Sequence, residues 1–115
     1  MSKSEGRQPE RLPPLSSFTM PTSSETLELL DAIADEMVSE FGISRAEAVA
    51  RINEQWHGQD LSDEDSLILH EEEHYWAFVI HYGGNVPDWS PGADRSTWAP
   101  KPPPAAGSGF WTVPD

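Results

Sequence analysis

All 11 prolines of this 115-residue chain lie at or before Pro21 or at or after Pro87. Proline has no backbone N–H and clashes with the preceding helical turn, so regular structure is confined to the interval between. The first flank, residues 1–21, is rich in Pro, Ser and charge and reads as a disordered tail. The second, 87–115, reads as a Pro/Trp-rich, largely irregular tail. A domain over 22–86 leaves about sixty residues to bury apolar surface, near the lower limit for a stable core. A partner, a metal or self-association would help such a core.

Within that interval, "SSETLELLDAIADEMVSEFG" has the strongest helical period. Leu27, Leu30, Ile33, Ala34, Met37, Val38 and Phe41 fall on one face at about 100° per residue. Glu25, Glu28, Asp31, Asp35, Glu36 and Glu40 fall on the other, with Leu29 the one large apolar residue among them. Ser and Thr at 22–24 offer N-caps, and Gly42 offers a left-handed C-cap. A second helix follows at once in "ISRAEAVARINEQWHG", where Ser44 and Glu47 have capping-box spacing. Its apolar stripe is Ala48, Val49, Ile52 and Trp56, with Glu47, Arg51 and Glu54 pointing away. The expectation is a helical hairpin, 24–41 and 44–57, with the two stripes facing.

The third element, 71–82, is ambiguous. "HYWAFVIHY" has the aromatic and β-branched content of a strand. A strand needs a partner, however, and the chain offers few. A helix starting at the acids and stopping at Gly83-Gly84 needs fewer coincidences, so the fold class is a mainly α, small helical domain with disordered Pro-rich tails. In the connector before it, Ser62 and Asp65 are candidates to cap a short turn at 67–69.

Charge narrows the function. Residues 22–82 hold fifteen Asp or Glu against Arg45 and Arg51, which by itself gives the whole net charge of −13. Helix, tight turn and capped helix also outline a DNA reader, but nucleic-acid binding rests on phosphate neutralisation and this charge opposes it. Anionic membrane is disfavoured for the same reason, and the longest apolar run, Tyr75 to Ile80, is too short to span a bilayer. There are no cysteines, so disulfides and thiolate metal sites are excluded. With no apolar leader at the N-terminus, the expected location is cytoplasmic.

One stretch spells out a chemistry. "HEEEH", His70 to His74, has the H-E-x-x-H spacing in which two histidines one helical turn apart hold zinc and the glutamate, here Glu71, takes a proton from its water. It resembles the zinc-protease families, in which this helix is buried and its two middle positions are uncharged. Here they are Glu72 and Glu73, and burying such a run without partners costs several kcal/mol each. The extended pattern of one such family wants histidine at position 80, where this chain has Ile80 and places His81 one residue late. Another needs a downstream Glu, and none follows Glu73. The reading preferred from sequence is therefore no catalytic residue, no metal and no cofactor, with the acids opening a helix at its positive end.

What remains is binding. The expectation is regulatory, inhibitor-like or immunity-like binding of another protein with a basic surface through the outer face of the first helix. Glu28, Asp31, Asp35 and Glu36 supply the charge there and Leu29 an apolar anchor. The alternatives are a minimal zinc-dependent hydrolase using His70, Glu71 and His74, and a subunit of a larger assembly whose shared core uses Tyr75, Trp76, Phe78 and Tyr82. Self-association belongs with the last. In the tail, Trp89, Trp98, Phe110 and Trp111 either dock on the small core or flank a "PKPPP" stretch that a partner grips.

Overall fold

A computed structural model describes residues 17–63 and 67–114. The elements are α1 (Ser24–Phe41), α2 (Arg45–Gln55), a 3-10 turn (Leu67–His70) and α3 (Glu73–His81), with no strand among the described residues. Most of the N-terminal tail, 1–16, lies outside the described residues, as does Asp65. Among the described residues no helix is long and apolar enough to cross a membrane.

Local chemistry sets both ends of α1 and the start of α2 where the sequence places them, while α2 ends at Gln55, before the expected 57, and α3 begins at Glu73, after the expected 71. The Ser23 hydroxyl accepts from the Thr26 N–H (3.1 Å), relieving one of the unpaired donors of the first turn of α1. At the other end Gly42 adopts φ 66° and its N–H reaches the Val38 carbonyl (3.1 Å), a conformation costly for any residue with a Cβ. Ser44 caps α2 through the Glu47 N–H (3.0 Å). The Glu47 carboxylate turns away from that box to Arg51 Nε (2.9 Å), so the cap works in one direction. Ser62, one of the two expected caps of the 3-10 turn, bonds the Asp60 carboxylate through its N–H (2.9 Å).

The third element is a helix. α3 starts at Glu73, behind Glu72, and ends in Tyr82, Gly83 and Gly84, with both glycines at positive φ. A helix buries the run without demanding a strand partner: Ala77, Phe78, Ile80, His81 and Tyr82 are all buried. The core joins the α1 stripe (Leu30, Ile33, Ala34, Met37) to the α2 stripe (Ala48, Val49, Ile52, Trp56) and to Ala77 and Ile80 of α3. Each fully buried Leu, Ile or Met contributes about 1.5–3 kcal/mol. Trp76 packs edge-on to Trp56 (5.3 Å) and donates its indole N–H to the Ile68 carbonyl (2.9 Å), which fixes the 3-10 turn against α3.

The packed body begins ahead of residue 22. Phe18 and Met20 are in the core, and a single bridge pairs Thr22 with Leu61. The segment 87–114 has no regular element, and its part from Lys101 to Thr112 is held on α2. Arg51, which points away from the hairpin stripe, is buried there and donates to the Lys101 carbonyl (2.6 Å). Asn53 is fully buried: its amide donates to the Phe110 carbonyl (3.0 Å) and the Ser17 carbonyl (3.3 Å), and its oxygen accepts from the Thr19 N–H (3.0 Å). The Thr112 hydroxyl also donates to Ser17 O, and Trp111 donates to Pro104 O (3.0 Å). A proline-rich chain offers carbonyls and few N–H groups, so side chains that donate are what can hold it.

Candidate functional site

The five positions expected to contact a partner do not form one free acidic face. Arg45 reaches back from the start of α2 and bonds both Asp31 and Asp35 at 2.8 Å. Glu36 is half-buried and its Oε2 lies 2.8 Å from His74 Nδ1. Leu29 is half-buried against the core, while Glu28 is exposed.

The H-E-x-x-H letters straddle a break in the chain. His70 ends the 3-10 turn, Glu71 and Glu72 belong to no helix, and His74 lies in the first turn of α3. The shared helical face that the motif needs is therefore missing. His74 instead joins Glu36 and Glu40, which are one turn apart on α1. One ligand atom from each of these three lies within 4.8 Å of the others, and no other such group occurs among the described residues.

Beside that group opens a cavity of about 530 Å³ between the end of α1, α3 and the segment 88–98. Its walls include Glu40, His74, Phe78, Asp88, Trp89 and Trp98. Trp89 lies flat on Tyr75 (5.3 Å, 10°) and is still 48% exposed, the one large exposed apolar residue among those described. The Arg95 guanidinium stands over the rings of Phe78 (5.1 Å) and Phe41 (5.6 Å) and 3.4 Å from the Glu40 carboxylate. That is the cation–π and carboxylate pairing a guanidinium prefers.

Two short turns position Trp89 and Arg95. Asp88 accepts from the Ser90 N–H and Asp94 from the Ser96 N–H, each at 2.9 Å, and each Asx turn fixes the residue between. Asp60 does the same with Ser62 around the buried Leu61. The repeated Asp-x-Ser at 60, 88 and 94 is thus a local signal, legible in the sequence, for how Leu61, Trp89 and Arg95 are held. The backbone and hydroxyl bonds from Ser90 hold the Asp88 carboxyl below the usual range, so this wall stays negative.

Behind the cavity, His81 is stacked on Phe41 (3.8 Å, 3°) with its Nδ1 buried and without a hydrogen-bond partner. Burial, then the nearby Arg51, push its pKa down to about 4, so the ring is neutral at pH 7. The aromatics that would complete a shared core are covered from within. Phe78 and Tyr82 are buried, Trp98 packs edge-on to Tyr82 (5.2 Å), and Trp89 covers Tyr75. Searches against protein-family models, curated proteins and solved structures find no match to this chain.

Proposed function

We propose that this protein acts without catalysis, by binding another protein with a basic surface, and that an arginine or lysine of that partner enters the cavity at Trp89. The exposed Trp89 indole beside the Asp88 carboxylate in the cavity wall carries this reading. An aromatic face beside carboxylates attracts a cation with an apolar stem, and such residues anchor interfaces. The internal Arg95 contact supports it, since one guanidinium already takes rings and a carboxylate at the same place. The net charge of −13 adds long-range steering of a basic partner. The acids along α1 widen the approach, although Arg45 already neutralises part of that face.

The test is a titration of the full chain with an arginine-containing peptide and with the same peptide carrying glutamate in its place. The arginine peptide should bind, weaken as salt rises, and lose at least about tenfold in affinity on Trp89→Ala, a loss typical of an anchor residue. Equal binding of both peptides, or indifference to Trp89→Ala, would remove the reading.

A further inference from the structure

We propose that Glu36, Glu40 and His74 bind one divalent transition-metal ion of the zinc class and thereby clamp α1 to α3. The two glutamates are four residues apart on α1, which puts both carboxylates on one helix face. His74 brings an imidazole from a different element, thirty-eight residues from Glu36, to within 2.8 Å of that carboxylate. All three ligand atoms lie within 4.8 Å of one another, with Glu36 Oε2 and His74 Nδ1 2.8 Å apart, whereas neighbouring ligands of a tetrahedral ion with bonds of about 2.0–2.2 Å stand about 3.4 Å apart. Small rotations of side chains that keep solvent access close the difference.

The donor set decides the class of ion. Carboxylates alone suit magnesium and calcium, whereas an imidazole beside them shifts preference to zinc, nickel, cobalt or copper. That imidazole separates this group from the many acidic pairs elsewhere on the chain. A second observation is independent of it: the 530 Å³ cavity opens at both Glu40 and His74, leaving room for the waters or further ligand that complete a three-residue site. Asp88 is in the same wall. The present occupants do not close the site. Arg95 is held over Phe41 and Phe78, and its contact with Glu40 is long at 3.4 Å, so Glu40 can turn without dislodging it. The Glu36–His74 contact becomes a pair of bonds to the ion. His70 and Glu71 take no part, so the letters that spell a protease motif would contribute one ligand to a different site.

The experiment is calorimetric titration of the chelator-stripped full chain with zinc chloride, nickel chloride and magnesium chloride. One equivalent of zinc and of nickel should bind, magnesium should not compete, and the melting temperature should rise with zinc. His74→Gln and Glu36→Gln should each weaken zinc at least about tenfold, while His70→Gln should leave it unchanged. His74 is half-exposed, so these variants keep the fold, and circular dichroism confirms it. A zinc-induced shift of the His74 ring signals in the unaltered chain gives a reading that needs no variant. Absence of zinc binding, equal displacement by magnesium, or loss on His70→Gln rather than His74→Gln would each overturn the site.

Discussion

The outer sides of α1 and α2 have similar patterns and different fates. Both helices bury one apolar stripe in the hairpin and turn polar residues outward. On α1 that side is exposed or half-exposed, and among the described residues its acids meet Arg45, Arg95 and the imidazole of His74. On α2 it is covered by the two ends of the described chain, with Arg51 and Asn53 buried beneath them. The difference is one of hydrogen-bond sense. α1 has no Arg, Lys, Asn or Gln, and its ionised carboxylates only accept. α2 has two arginines, an asparagine and a glutamine, which donate. A proline-rich segment brings carbonyls, so it settles on the helix that can donate to them. A polar helix face can therefore be a docking strip for irregular chain, and donor content tells which.

Removing the central donor is the hardest test of that distinction. Asn53→Leu keeps the volume but leaves the Thr19 N–H and the Phe110 carbonyl unpaired, so it should cost about 3 kcal/mol in urea unfolding and shift Trp111 fluorescence towards that of exposed indole. A loss no larger than that of a surface substitution would dissolve the comparison.

A pH series probes the same covered side next. The groups facing His81 are Arg51, Glu47 and Arg95, and burial holds its pKa near 4 against 6.5 for the free side chain. The unfolded chain therefore takes up the proton first as pH falls. The stability due to a neutral His81 is complete above pH 6.5, declines as pH drops from there towards 4, and amounts to about 2 kcal/mol after allowing for screening by water. His81→Phe, which keeps the stack on Phe41, should flatten the denaturation midpoint across that window.

The smallest effect belongs to the open face. Asp35→Asn breaks an exposed pair with Arg45 and should change stability by less than about 0.5 kcal/mol in the same urea assay. A larger cost would mean that α1's acids support the fold and are not merely available to a partner.

These contrasts mark what the sequence makes legible. Ser23, Gly42, Ser44 and the paired glycines after Tyr82 are local signals that mark both ends of α1, the start of α2 and the end of α3, whereas α2 stops at Gln55, short of 57, and α3 starts at Glu73, after 71. The α1 stripe faces the core as the periodicity implies, with Leu30, Ile33, Ala34 and Met37 buried and Leu27, Val38 and Phe41 partly so. The Glu36–His74 approach and the covering of α2 join residues thirty to sixty apart, and no local period encodes them. The "HEEEH" letters fail for a related reason. A motif presumes a continuous helix, and Glu72, in extended conformation as the N-cap of α3, breaks it between the two histidines.

Asn53 also ties the two ends of the described chain to each other. Its partners come from residues 17–19 and from 110–112, on opposite sides of it in the chain. Without residues 110–112 the Asn53 amide keeps only half of these bonds. The full set of Asn53 bonds thus requires Phe110 and Thr112. An early stop or a truncation before them would leave a helical body with an open, donor-rich groove along α2.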